Sequence, residues 1–559
     1  MNYETKFIDN FNFSDHFDLE LLFKFMEVTI SRGQLFTIFQ ICVQIKGVQF
    51  PKNLSQEWIQ IEIDDNDQDI IFRHIEQGLK LGIFLGDAGW LNESAQVLSH
   101  THQIMNTKWE CFDQNLKLLK NTQCLTKWLF VVSKIQNFIE AKTIFKFMLV
   151  TFSVFENMKE KSLCIANSYV AVSQYFYLLM EFDEAWSWAV KATDELGDNS
   201  STVLKMSVIS HAIKISSILK KFDTAKKLKN QLDTYDEQIS QLIHINMLSN
   251  EAIFLSKEKK PRESSKRFYM AIDSTRNLFG YYNLNTAIIL SEFAYSRFLC
   301  FKSMAHYKES MQSLQQAILI MEKIGLSIKN VLFLNTIRIK ALIIEKTAFC
   351  MSREPFVQNN GLGPMNNEER QRDLAKKKDN LLDDAETLHI KILHYTSNVA
   401  SKFMLAAKSY TNLGSISKMQ KRFKRSESMY LKAIGLKETI LNEKSEELAQ
   451  MYSDVYSNSS IKTKMTIGHI IKSSEIFLTF YGYHYKEVQN DLEVLKKVSK
   501  KLKKIDDFNE YNTVMDNSFA SRTAHLCHMF GTIDDELVEF NLSMEAIKSI
   551  LNTNYNVDL

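Results

Sequence analysis

With only 4 prolines and 16 glycines in 559 residues, the chain offers no Pro/Gly-rich linker at which to divide it. Length alone would suggest roughly three or four domains, so this shortage argues for one continuous architecture. An excess of either charge is also missing. The 68 Lys and Arg face 66 Asp and Glu, a net +2, which gives no global field for nucleic acid or an anionic membrane. The seven cysteines (Cys42, Cys111, Cys124, Cys164, Cys300, Cys350 and Cys527) contain no CxxC pair and no disulfide-like spacing. An odd, dispersed set reads as reduced thiols in a cytoplasmic or nuclear protein. The opening MNYETKFIDNFNFSDHFD is acidic and has no signal-peptide run. No stretch reaches the roughly 18 uninterrupted apolar residues of a membrane span. A soluble chain is expected, not an integral membrane protein.

Catalytic signatures are lacking as well: there is no GxxxxGK, no GxGxxG after a strand, no HExxH and no GxSxG. The chain is therefore read as a non-enzyme that needs no cofactor. Metal-like groupings occur at HTH, 100–102, and in HLCHMF with His525, Cys527 and His528. A zinc site needs four ligands and no second cluster supplies the rest, so these read as helix-face histidines. The basic run KKVSKKLKKID, 496–506, has apolar residues at 495, 498 and 502. It reads as a solvated helix face, with a tubulin or membrane contact as the alternative.

What the chain has is a recurring helical pattern. In YTNLGSISKMQKRFKRSESMYLKAI, 410–434, Gly414 sits inside a helix at a cost of about 1 kcal/mol relative to alanine. Tyr410, Leu413, Gly414, Phe423, Ser426, Tyr430 and Ala433 fall at positions 4, 7, 8, 17, 20, 24 and 27 of a tetratricopeptide unit starting at Ala407. Small residues at 8, 20 and 27 let two antiparallel helices touch. Equivalent position-20 residues are Ser94, Ala141, Ala185, Ala225, Ser264, Ser310, Ala385 and Ser426, at gaps of 47, 44, 40, 39, 46, 75 and 41. Trp90, Trp186 and Trp188 fit packing between hairpins. The fold expected is all-α: a tetratricopeptide-like α-solenoid of about 8–10 helical hairpins with a period near 42 residues. The wide gap holds the polar stretch MSREPFVQNNGLGPMNNEERQRDLAKKKDN, read as a loop insertion near 351–378. After 434 the pattern weakens, and YHYKEVQNDLEVL is read as a last hairpin with Val488 in the small slot. The expected domains are an N-terminal helical segment, 1–60, the solenoid, 61–440, and diverged helical repeats and tail, 441–559.

A solenoid leaves a concave groove lined by the first helix of each hairpin, suited to extended peptides. Inner-face side chains come from positions 2, 5, 6, 9 and 12. Lys408 and Asn412 occupy positions 2 and 6 of their unit, the pair that tetratricopeptide carboxylate clamps use, since a peptide carboxylate needs a cation and amide donors. Asn250 and Glu292 are placed at position 6 of theirs, and Arg338 lies on the helix before the insertion. For each, a solvated polar helix residue is the alternative.

The blocks LGIFLGDAGWLNESAQV, FAYSRF with ESMQSLQQAI, RIKALIIEK and SYTNLGSISKMQKRFKRSESMYLKAIGLKE resemble the amyloid protein-binding protein 2 family, whose repeats are similar to those of kinesin light chain. The resemblance runs in order from about residue 10 to 435. It implies an adaptor that serves as substrate receptor of a cullin-2-type ubiquitin ligase reading Arg-x-x-Gly C-terminal degrons, whose arginine needs carboxylates. It also implies a link between the amyloid precursor tail and microtubule-based transport. FNFSDHFDLELLFKFMEV aligns with the family's elongin-binding box: Phe13 and Ser14 stand where the family has Leu-Pro, and Phe17, Leu19, Leu22 and Phe25 supply an apolar face. The alternative for this segment is a first helix packed on the end of the solenoid. From Lys444 to Lys486 the chain is about twenty residues short of the family pattern.

Overall fold

The computed structural model describes residues 18–481, apart from 28–31, 48, 64–66, 111–112, 157–163, 180, 236–239, 301–303, 352–366, 400–401, 440–445 and 459–463; beyond 481 it describes only Asn490 and Glu493. Among the described residues there are 21 α-helices and no strand. The chain forms two compact units, 1–402 and 403–559. The solenoid segment expected over 61–440 is thus divided between them.

The first unit opens with three short helices: α1 (Leu19–Glu27), α2 (Arg32–Lys46) and α3 (Gln49–Ile59). Seven antiparallel hairpins follow. The first four are α4 (Gln68–Asp87) with α5 (Leu91–Thr107), α6 (Gln114–Lys134) with α7 (Phe138–Glu156), α8 (Cys164–Leu179) with α9 (Phe182–Asp194), and α10 (Thr202–Ile218) with α11 (Phe222–Leu232). The last three are α12 (Gln241–Lys257) with α13 (Pro261–Phe279), α14 (Leu284–Cys300) with α15 (Met304–Lys323), and α16 (Val331–Met351) with α17 (Asn367–Thr396). The second unit holds two more: α18 (Phe403–Met419) with α19 (Phe423–Glu438), and α20 (Glu446–Asn458) with α21 (Lys464–Tyr481). This last hairpin lies where the sequence pattern fades, and most of YHYKEVQNDLEVL, including Val488, lies outside the described residues.

The register read from the sequence is the one that packs. All eight position-20 residues, from Ser94 to Ser426, are buried. In three hairpins the position-20 hydroxyl donates to the carbonyl twelve residues earlier: Ser94 to Gly82 at 2.6 Å, Ser264 to Ala252 at 2.7 Å and Ser426 to Gly414 at 2.7 Å. In the α8/α9 hairpin the bond is reversed, and Ser173 donates to the Ala185 carbonyl at 2.6 Å. Only small side chains bring two helix backbones this close. At Gly414 a Cβ would stand 2.7 Å from the Tyr430 ring of α19, inside any tolerable contact. On α4, Gly78, Gly82 and Gly86 form a stripe on which Cβ atoms would meet Trp58 at 2.3 Å, Leu98 at 2.6 Å and Ser94 at 2.8 Å.

The turns repeat as closely as the contacts. Gly89, Gln136, Lys220, Lys259 and Lys421 each have positive φ and each stands two residues before the second helix of its hairpin. The next N–H bonds back six-to-one into the first helix, as in Lys221 to Ser216 at 2.9 Å and Arg422 to Ser417 at 2.8 Å, the bond of a Schellman cap. Four of these five turns use a residue other than glycine.

The insertion expected as a loop is partly helix. Residues 367–378 form the first turns of α17, which runs for 30 residues. Its Glu-, Arg-, Gln- and Lys-rich sequence is polar but built from strong helix formers, so polarity alone did not make it a loop. Residues 352–366 lie outside the described residues.

The first unit also closes on itself. Phe36 of α2 packs between Phe84 of α4, ring centroids 5.0 Å apart, and Phe279 of α13, at 4.8 Å. Asn283 and Asn285 donate to the carbonyls of Ala88 and Asp87 in the α4–α5 turn, both at 2.9 Å. Gln40 donates to the Tyr282 carbonyl at 3.3 Å. The chain's first helices thus pack against the border of the fifth and sixth hairpins.

Candidate peptide-binding surfaces

A ladder of polar contacts joins successive first helices of the first unit. Thr126 of α6 bonds Ser168 of α8 at 2.7 Å, and Asn250 of α12 donates to Ser210 of α10 at 3.1 Å. Ser249 donates to Glu292 of α14 at 3.4 Å, and Ser291 bonds Thr336 of α16 at 3.1 Å. Partners lie 40 to 45 residues apart, one repeat. Asn250 thus serves as a strut between first helices, and Glu292 accepts from the helix before its own.

Arg338 is placed differently. Its Nε donates to Asn335 one turn earlier at 3.1 Å, and its charge opposes protonation of His389 on α17. His389 is fully buried, and burial, then Arg338, pushes its pKa down to about 3.

Lys408 and Asn412 lie one turn apart on α18 in the second unit, both half-buried. The Asn412 side-chain nitrogen is shut off from solvent and finds no acceptor among the described residues. A buried amide donor without an acceptor is costly, and Lys408 lies one turn earlier on the same helix. Both residues belong to the same helix of the second unit. Arg338, Asn250 and Glu292 belong to the other unit.

Of the N-terminal box, Phe13 and Phe17 lie outside the described residues. Leu19, Leu22 and Phe25 are buried, Leu22 completely, in a helix that packs on α2 and α3. The apolar face that the resemblance would turn toward an elongin is used within the chain.

Several other residues singled out in the sequence act in packing. Trp188 lies against Phe145, Phe152 and Tyr169 with Lys191 over its face at 4.2 Å, and Lys221 covers Trp186 at 4.9 Å. His100 meets Trp58, and His102 meets Trp128 and Phe147. His525, Cys527, His528 and the basic run at 496–506 lie outside the described residues. Among the described residues no three His, Cys, Asp or Glu side chains cluster as a metal site would require, and no helix is long and apolar enough to cross a membrane.

Sequence reasoning missed the charged interior of the first unit. Lys127 of α6 pairs with Asp87 of α4. Lys134 of α6 and Lys214 of α10 lie near Glu292, and burial lowers the pKa of both, Lys134 to about 8. In SVISHAIKISSI, every residue around Lys214 except His211 is apolar or small, and residues 208–217 are all buried. A helix apolar all round is a buried one, which was the available signal.

The chain is 22% identical over 418 residues to amyloid protein-binding protein 2 of Rattus norvegicus and to that of Mus musculus. Each match covers 73% of this chain and 66% of the relative, so the chain spans just under two thirds of the length of the curated relatives it matches. No family model matches. Among solved structures, the human IFIT1 dimer with PPP-AAAA superposes over 90% of this chain and 95% of its own, with a TM-score of 0.40 and 11% identity. An IFIT1 monomeric mutant with Gppp-AAAA covers 90% and 95%, with a TM-score of 0.39 and 12% identity.

Proposed function

We propose that the chain is a non-catalytic adaptor that binds peptide segments on the first helices of its hairpins, with a peptide carboxylate held on α18 by Lys408 and Asn412. The observation that carries this reading is the buried Asn412 donor with no acceptor among the described residues, one turn from a lysine. An incoming carboxylate would accept from both groups, and hydrogen bonds to charged groups are the stronger kind. Similarity to amyloid protein-binding protein 2 supports the adaptor role. On this reading the chain is the substrate-recognition subunit of a cullin-2-type ubiquitin ligase that reads C-terminal degrons of the Arg-x-x-Gly type, working in the cytoplasm or nucleus.

One observation favours a second reading, a kinesin-light-chain-like cargo adaptor for amyloid-precursor-type membrane proteins on microtubules. The α1 face that an elongin would need is already buried on α2 and α3. Screening C-terminal peptides with free and amidated ends against the full chain tests the common claim, and co-purification with elongin and cullin separates the two readings. Preference for free ends with elongin bound supports the ligase receptor. Equal affinity for internal peptides with no elongin supports the cargo adaptor. Absence of any peptide binding sinks both.

A further inference from the structure

Lys214 is 7% exposed on a helix enclosed from all sides. Its ammonium stands over the ring of Tyr177 from α8, 4.2 Å from the centroid. Lys134, at the end of α6, lies over Phe130 at 4.6 Å. Neither ammonium has an ion pair or hydrogen bond among the described residues. Lys127 is matched by Asp87. Glu292 of α14, which accepts from Ser249, is the carboxylate near both unmatched lysines. What remains is two cations against one anion, on first helices of hairpins that lie between the two sides of the seam made by Asn283 and Asn285.

A buried ammonium without an anionic partner is among the costliest groups a protein can keep. Its desolvation shows in the lowered pKa of both lysines. A group retained at that cost, with only a ring face beneath it, is poised for an acceptor that arrives with a ligand.

We infer that Lys134 and Lys214 form a receptor for a single carboxylate inside the first unit, walled by Tyr177 and Glu292. The excess of one positive charge selects the ligand class. A carboxylate brings the cluster to neutrality. A phosphate dianion or a polyanionic strand would leave uncompensated negative charge beside Glu292, where low dielectric magnifies repulsion. The site is separate from Lys408 and Asn412 and does not depend on them. The carboxylate comes either from an acidic side chain of an extended segment or from a small free acid.

Calorimetric titration of the full chain with acetate, with acetyl-Ala-Glu-Ala-amide and with inorganic phosphate tests this. Saturable binding of a carboxylate probe is expected, weakened at least tenfold in Lys214→Met, with no uptake of phosphate at the site. Binding of the tripeptide alone identifies an acidic segment as the source, and equal binding of acetate identifies a small acid. Melting of the unliganded variant supplies the control. Lys214→Met should melt no lower than wild type, because a flexible apolar chain of similar length replaces an unmatched cation. Failure of both carboxylate probes to bind, equal affinity in the variant, tighter binding of phosphate, or a large loss of stability in Lys214→Met each overturns the inference.

Discussion

Helices α10 and α18 are both 17 residues long and both open a hairpin, yet they treat their polar residues in opposite ways. On α10, His211 and Lys214 are buried with the apolar residues, and His211 bonds Ser173 of α8 at 2.8 Å. On α18, Lys408 and Asn412 share a half-buried side while Leu413, Gly414 and Ile416 are buried. Repeat position alone therefore does not say which polar residue reads a ligand. Enclosure by neighbouring helices decides it, and around α10 that enclosure includes Ser173 and Tyr177 of α8.

Acid should separate the two regions most strongly. Burial, reinforced by Lys214, pushes the pKa of His211 down to about 3. Burial with Arg338 does the same to His389, and burial with His100 and Lys108 brings His74 down to about 4. All three belong to the first unit. Below the unfolded value of 6.5 the unfolded chain takes up protons that the folded chain refuses, so stability present above pH 6.5 is lost as pH falls toward 3 or 4. Each histidine contributes up to about 1.4 kcal/mol per pH unit in that window. Hydrogen exchange at pH 7 and pH 4.5 should show α4, α10 and α17 losing protection before α18. His211→Gln with His389→Gln should flatten the slope, and an unchanged slope would show that these rings do not govern it.

Filling the helix contact comes next. Gly414→Leu should destabilise the α18/α19 hairpin by at least about 1–3 kcal/mol, the usual cost of overpacking, because even a Cβ meets the Tyr430 ring at 2.7 Å. An unchanged melting curve would mean that the two helices separate easily. In the binding comparison, Lys408→Glu should weaken a free-ended peptide about tenfold, since 1.4 kcal/mol is one decade. It should leave the melting curve near that of wild type, and amidating the peptide should then matter little to the variant. Equal sensitivity to amidation in both proteins would move the carboxylate elsewhere, with Arg338 the next position to test.

The smallest effects compare one repeat position in two hairpins. Ser426 donates to the Gly414 carbonyl, whereas the buried Ser310 hydroxyl has no partner among the described residues. Ser426→Ala should cost about 1 kcal/mol. Ser310→Ala should cost nothing or stabilise slightly, since alanine already fills the equivalent buried position at Ala141, Ala185, Ala225 and Ala385. Equal losses by chemical denaturation would mean that the hydroxyls do not distinguish these positions.

The hairpins were legible because their contacts are local. Gly414, Ser426 and Ala433 have to be small for a reason contained within one repeat, and all eight register marks are buried as that reason requires. Residues 367–378 were misread because composition reports solvation more directly than conformation, and a polar run of good helix formers extends a helix when one end is anchored. The positive-φ turns at Gln136, Lys220, Lys259 and Lys421 escaped notice because the expected signal, glycine, is absent there. Lys134 and Lys214 escaped for another reason. Lys134 stands among polar neighbours like a surface lysine, and the apolar setting of Lys214 shows that it is buried without showing that Tyr177 and Glu292 come near it from other repeats.

The bonds from Asn283 and Asn285 to the α4–α5 turn, spanning 195 and 198 residues, also bear on how the chain acquires its structure. In an open repeat array each unit touches only its neighbours, folding can start anywhere, and the ends fray independently. Joining the border of the fifth and sixth hairpins to the first hairpin removes that freedom. Loop closure over so many residues must precede its reward, which slows the final step. Once the seam is made, the first five hairpins should gain or lose order together, and a ribosome must release the α14 segment before the earliest helices can reach their finished state.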